Sequence, residues 1–162
     1  MKIGLVFGFV LILDQLTKWL VRQNMTVGDS VSIIGNFIRI TYVENPGIAF
    51  GIHVSNRLIF TILSVLASVG VAGYLFTHWK EKTIKKISLV LILGGAIGNI
   101  IDRIFFYNVV DFIDIGIGDL RWWVFNVADS SVVIGVILLL IITLSNQGEK
   151  SELEPDEAES AG

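Results

Sequence analysis

Two carboxylates stand in apolar company in the C-terminal half of the chain. Asp111 lies in Val109-Val110-Asp111-Phe112, and Asp129 ends Phe125-Asn126-Val127-Ala128-Asp129. An ionised side chain among Val, Phe and Ala costs free energy unless it is paired or used. The two are 18 positions apart at the facing ends of two apolar segments, so they can meet in space. Like charges a few ångström apart do not both ionise easily, and such a pair shares one proton. The ionised partner can take a proton from water. The protonated partner can hydrogen-bond a scissile carbonyl and then protonate the leaving amine, which is aspartic peptidase chemistry. Asn126 is placed to orient one of them. Taken singly, Asp129 reads equally well as a helix cap and Asp111 as a solvated loop acid.

Other polar groups repeat the pattern. Asp14 and Lys18 are four apart, so they share one helical face. Asn99, Asp102 and Arg103 stand at i, i+3 and i+4, roughly on one face, where each can serve another as partner. The run Glu44-Asn45-Pro46-Gly47-Ile48-Ala49-Phe50 punctuates the chain and can present an amide and free backbone groups.

Several chemistries are excluded. There is no cysteine, hence no disulfide, thiolate nucleophile or cysteine metal cluster. With two histidines, one of them in the lysine-rich loop after the second span, neither a Ser-His nor a zinc-protease arrangement is available. Asp114, Gly116, Gly118 and Asp119 lack the spacing of a calcium loop, so no metal and no cofactor is expected. The net charge of −3 hides a tail from Glu149 with six acids and one lysine, which leaves about +2 elsewhere. That is no nucleic-acid footprint.

The elements that position these groups belong to a membrane. Hydrophobic residues make up 53% of 162, charged residues 17%, and the mean hydropathy is +0.73. Four stretches have the length of a bilayer crossing, roughly Ile3–Val21, Leu58–Trp79, Ile87–Tyr107 and Val127–Leu144. The first resembles a signal peptide but lacks a small-x-small cleavage site, so it reads as a retained helix. Small residues at Ser64, Ala67, Ser68 and Gly70, and the pair Gly94 and Gly98, suit close helix contacts.

Residues 23–57 read as a polar segment with two short strands around Asn36, between helices 1 and 2. The expected fold is therefore an all-α membrane protein, a four-transmembrane-helix bundle with a small extracytoplasmic β-strand segment. Residues 1–147 form one domain, and 148–162 an acidic, disordered tail.

Lys80, Lys82, Lys85 and Lys86 mark a cytoplasmic loop. Both termini are then cytoplasmic, with 23–57 and 108–126 outside. Asp14, Lys18, Asn99, Asp102, Arg103 and Asp129 all fall in the outer halves of their spans, as one buried polar site near the outer surface requires. Arg121-Trp122-Trp123 reads as an interfacial anchor.

Five motifs, taken in order, resemble the bacterial lipoprotein signal peptidases, signal peptidase II: Asp14-Gln-Leu-Thr17-Lys18, Asn45-Pro-Gly47-Ile-Ala49-Phe50, Gly98-Asn99-Ile-Ile-Asp102-Arg103, Val110-Asp111-Phe112 and Phe125-Asn126-Val-Ala128-Asp129. The resemblance covers residues 14 to 129. It implies a membrane aspartyl endopeptidase of the bacterial cytoplasmic membrane. Its substrates would be diacylglyceryl-prolipoproteins, cut just before the lipidated cysteine. Asp111 and Asp129 would be the catalytic pair. Asp14, Lys18, Asn45, Gly47, Asn99, Asp102, Arg103 and Asn126 would support the site or hold substrate. Membrane lipids would be partners, globomycin an inhibitor, and the chain a monomer. The alternative is a small transporter or channel subunit using the buried charges as an ion path. Such a path needs polar groups through the whole depth, and the cytoplasmic halves of these spans are apolar.

Overall fold

The structure is a computed structural model, which describes residues 2–46, 48–49, 52–53, 57–80 and 82–153. Four helices follow the four apolar stretches: α1 (Lys2–Asn24), α2 (Arg57–Thr77), α3 (Thr83–Phe105) and α4 (Val127–Leu153). Each is long and apolar enough to cross a membrane. Helix α3 is central and packs against α1, α2 and α4. Its glycines permit this. A Cβ on Gly98 would stand 2.6 Å from Asp14 Oδ2, and one on Gly94 would stand 3.1 Å from Val10 Cγ1. Gly94 and Gly98 therefore face α1, while Gly95 lies against the Ala128 carbonyl of α4. The large side chains turned outwards are apolar, among them Leu5, Phe9 and Ile12 of α1 and Leu58, Leu66 and Phe76 of α2.

The expected strand pair forms as β1 (Ser30–Ile34) and β2 (Ile38–Asn45). Its turn has Gly35 at φ +49°, closed by Phe37 N–H to the Ile34 carbonyl at 3.0 Å. Two minimal strands follow, β3 (Ile48–Ala49) and β4 (Ile52–His53), paired with each other.

The sheet is larger than the sequence reading allowed. Residues between α3 and α4 supply β5 (Val109–Ile117) and β6 (Leu120–Arg121), giving an antiparallel order β1-β2-β5-β6. The run VVDFIDIGI is rich in β-branched residues, which suits a strand, and six of its nine residues are buried. Its pairing partner, β2, is more than 60 residues upstream, so only the fold makes the pairing visible. Beneath the sheet Val21, Tyr42, Val110 and Phe112 form a buried apolar cluster with Met25, Ile40, Ile113 and Val127 against it.

Two boundaries differ from expectation. Helix α3 starts at Thr83, ahead of Ile87. Helix α4 runs on to Leu153, into the stretch expected to be disordered. Glu, Lys, Gln and Leu between 147 and 153 are good helix formers, and Pro155 comes only later. Residues 154–162 lie outside the described residues.

Candidate active site

Asp111 sits on β5 and Asp129 in the first turn of α4. Strand β5 pairs with β2 so that Val43 lies opposite Asp111, which makes Asn45 its diagonal neighbour on the same face. Asn45 Nδ2 donates to Asp111 Oδ2 at 3.0 Å. Helix α4 opens with a reciprocal cap. The Asp129 N–H donates to Asn126 Oδ1 at 2.9 Å, and the Asn126 N–H donates to Asp129 Oδ2 at 3.2 Å. The Asn126 amide then reaches the other carboxylate, its Nδ2 standing 2.7 Å from Asp111 Oδ1. The sequence suggested that Asn126 orients one acid; it holds both.

Burial pushes the Asp111 carboxyl up, and the charge of Asp129 adds to this. Hydrogen bonds from Asn45 and Asn126 and the charge of Lys18 oppose it, and the balance lies at about 7. Asp111 is only 3% exposed.

Beneath the two carboxylates lies a wholly buried cation. Lys18 Nζ stands 2.9 Å from Asp14 Oδ2 and 3.2 Å from Asp102 Oδ2, and donates to Asn99 Oδ1 at 2.9 Å. All three side chains of this ion triad are shut from solvent. Each acid of the triad also grips a backbone N–H. Asp14 Oδ1 takes that of Ala128 at 2.9 Å, and Asp102 Oδ2 takes that of Val110 at 3.1 Å. These residues precede Asp129 and Asp111. Asn99 Nδ2 donates to Asp129 Oδ1 at 2.7 Å. One ammonium thus organises three side chains, each of which reaches one of the two acids or the residue before it. Gln15 adds bonds from Nε2 to Asp14 Oδ2 and the Gly98 carbonyl, at 3.0 and 3.1 Å.

The fold brings together Asp14, Lys18, Asn45, Asn99, Asp102, Asp111, Asn126 and Asp129. Gly47 lies outside the described residues. Arg103 differs from expectation: among the described residues no ion pair joins it to Asp102. Asp102 turns to Lys18, Arg22 and β5, and the next residue along the helix points about 100° away. The Arg103 guanidinium lies 6.0 Å from the Phe60 ring, and its Nε is buried without a hydrogen bond among the described residues. Arg22 was not among the expected site residues, yet it pairs with Asp102 at 3.2 Å. Its spacing of four from Lys18 was the available signal.

Asp114 belongs elsewhere. It accepts Arg121 Nε at 2.6 Å and Thr41 Oγ1 at 2.8 Å. Burial raises its carboxyl, but these bonds outweigh that and hold it below the ordinary range. Among the described residues no three His, Asp or Glu side chains are grouped to hold a metal ion.

A four-span membrane bundle whose small sheet and fourth helix each present an aspartate, linked through one asparagine, has the build of a membrane-embedded aspartic peptidase. Residues 6–145 match the family described as Signal peptidase (SPase) II. The chain belongs to that family, whose members are aspartic-type peptidases. It is 43% identical to the lipoprotein signal peptidase of Bacillus pumilus over 148 residues, 91% of this chain and 95% of that one. With the lipoprotein signal peptidase of Bacillus velezensis it shares 42% over 148 residues, 91% and 97% of the two chains. Two solved structures of bacterial membrane enzymes, obtained by the in meso method at 2.3 and 1.9 Å, are each 36% identical. They superpose with TM-scores of 0.84 and 0.79, over 92% and 88% of this chain and 91% and 92% of theirs. The transporter or channel reading is not favoured. Among the described residues the polar network gathers at the end of the bundle that carries the sheet and does not continue along its depth.

Proposed function

We propose that Asp111 and Asp129 are the catalytic pair, and that this peptidase cuts diacylglyceryl-modified prolipoproteins just before the lipidated cysteine. As a signal peptidase II it removes signal peptides from prolipoproteins. One observation carries the assignment of the pair: a single buried residue, Asn126, hydrogen-bonds both carboxylates, Asp111 through its side-chain amide and Asp129 through its backbone N–H. Asp111, the more buried, holds the shared proton at neutral pH. Asp129, open to the site, takes a proton from the water that attacks the scissile carbonyl. Asp111 hydrogen-bonds the carbonyl oxygen, then passes its proton to the leaving amine as the tetrahedral intermediate collapses.

Lys18, Asp14, Asp102, Asn99 and Asn126 hold the two acids. Asn45, at the end of β2, Gly47, and Arg103, whose Nε has no hydrogen bond among the described residues, hold substrate. The chain works as a monomer, with both termini cytoplasmic and the site at the outer face of the membrane. A lipidated peptide reaches it by lateral diffusion while its acyl chains stay in the bilayer. A globomycin-type cyclic lipopeptide competes for the pair.

The test is incubation of purified protein with a diacylglyceryl precursor and its unlipidated twin. Cleavage of the lipidated form alone, before its cysteine, is expected. Equal cleavage of both, or of neither, contradicts the proposal.

A further inference from the structure

Asp14, Lys18 and Arg22 form one stripe on α1 at intervals of four residues. The third member has no part in the chemistry above. Arg22 Nη2 stands 3.2 Å from Asp102 Oδ1. Neither atom has a hydrogen bond among the described residues, so each answers the other as a charge. The Arg22 Cζ lies 3.9 Å from the centroid of the Phe106 ring, a cation–π contact at the end of α3. The arginine is mostly buried, with 16% of its side chain exposed.

Asp102 therefore carries a cation on each oxygen, Arg22 on Oδ1 and Lys18 on Oδ2. The oxygen facing Lys18 also accepts the Val110 N–H, one residue before Asp111. A carboxylate held from both sides cannot rotate without breaking an ion pair. We infer that Arg22 is a positioning residue for cleavage: through Asp102 it holds the start of β5, and with it Asp111, in place against Asp129. This inference rests on the assignment of Asp111 and Asp129 as the reacting pair.

The charged and titratable groups around that pair come from five elements: Asp14, Lys18 and Arg22 of α1, Asp102 and Arg103 of α3, Tyr42 and Glu44 of β2, Asp111 of β5 and Asp129 of α4. Burial, with Glu44 beside it, raises the Tyr42 phenol, which stays neutral. Without Arg22, Asp102 leans on Lys18 alone and draws the ammonium from Asn99 and Asp14. The surroundings of the reacting pair also lose one positive charge, so ionising the pair becomes harder. Both limbs of the pH–rate profile then move to higher pH, by roughly half a unit.

The experiment uses full-length protein in lipid nanodiscs and a diacylglyceryl precursor peptide, with kcat, KM and melting measured across pH. Arg22→Gln lowers kcat about tenfold, leaves KM within about twofold, and shifts the profile upwards. Arg22→Lys, which keeps the charge, restores most of the rate and the wild-type profile. Phe106→Leu, which keeps apolar bulk but removes the ring that holds the guanidinium against Asp102, lets Arg22 swing towards solvent, where its charge is screened; it moves both readouts the same way by less, and serves if Arg22→Gln does not fold. An active wild type with an unshifted profile in Arg22→Gln and Phe106→Leu overturns the inference alone. So does a rate loss that follows melting and is not rescued by lysine. A wild type that leaves the lipidated peptide whole overturns the underlying assignment, and this inference with it.

Discussion

Asp14 Oδ1 accepts the Ala128 N–H at 2.9 Å, tying the middle of α1 to the first turn of α4 one residue before Asp129. The contact passes beside Gly98, where a Cβ would stand 2.6 Å from the other oxygen of Asp14. Helix approach and acid placement are one geometric condition here.

Gly98→Ala is therefore expected to displace Asp14 and loosen the Ala128 contact. Overpacking of this kind costs about 1–3 kcal/mol, and turnover should fall by about tenfold or more. Gly70→Ala on α2, with nothing within 4 Å of its added Cβ, is the control. Equal turnover and melting in the two variants would show that Asp14 does not need its present position.

The catalytic pair is tested by Asp111→Asn and Asp129→Asn, each of which should abolish cleavage in a folded protein. An amide neither accepts water's proton nor returns one. Asp119→Asn, in the exposed β5–β6 turn, should be silent. Asp114→Asn weakens the bond to Arg121 and should lower melting modestly while leaving cleavage intact. Substantial turnover by either member of the pair sinks the mechanism.

The raised Asp111 carboxyl has a consequence for stability. Its value of about 7, against an ordinary 3.8, means the folded protein binds more protons than the unfolded chain between those limits. Stability is lost as pH rises through that window. Asp111→Asn removes the penalty, so this variant should melt above wild type at about pH 8 and converge with it near pH 4. Melting curves in detergent at both values decide the matter; a variant less stable at the higher pH contradicts the sign.

Lys18→Met keeps the bulk of the side chain but strands Asp14 and Asp102 without their shared cation. Breaking a buried ion pair costs roughly 3–5 kcal/mol, so poor expression and a large drop in melting are expected. Arg103→Ala should lose turnover with a smaller drop, since no ion pair holds Arg103 among the described residues. Melting of Lys18→Met at the wild-type temperature would mean the network is not structural.

Single cysteines at Lys82 and Asp119 test the orientation. Lys82 lies at the start of α3 and Asp119 in the β5–β6 turn, at opposite ends of the bundle. The chain has no cysteine of its own, so background labelling is absent. Lys82→Cys should react only from the cytoplasmic side and Asp119→Cys only from outside. Reaction of both from one side removes the topology proposed above.

The sequence by itself determined the spans and the polar positions within them. Length and hydropathy are local properties, and charges such as Asp14, Lys18, Asp102 and Asp129 are conspicuous in apolar runs because burying them is costly. The ordered motifs then pointed to the family. The tertiary structure alone decided how these charges are satisfied. That Lys18 serves Asp14, Asp102 and Asn99 together, and that Arg22 takes the far side of Asp102, depends on helix rotation and crossing. A helical face narrows such partners to a stripe without selecting among them. The strand carrying Asp111 was hidden for a related reason. Sheet pairing joins β2 to β5 across more than 60 residues, and no local pattern encodes a partner that distant.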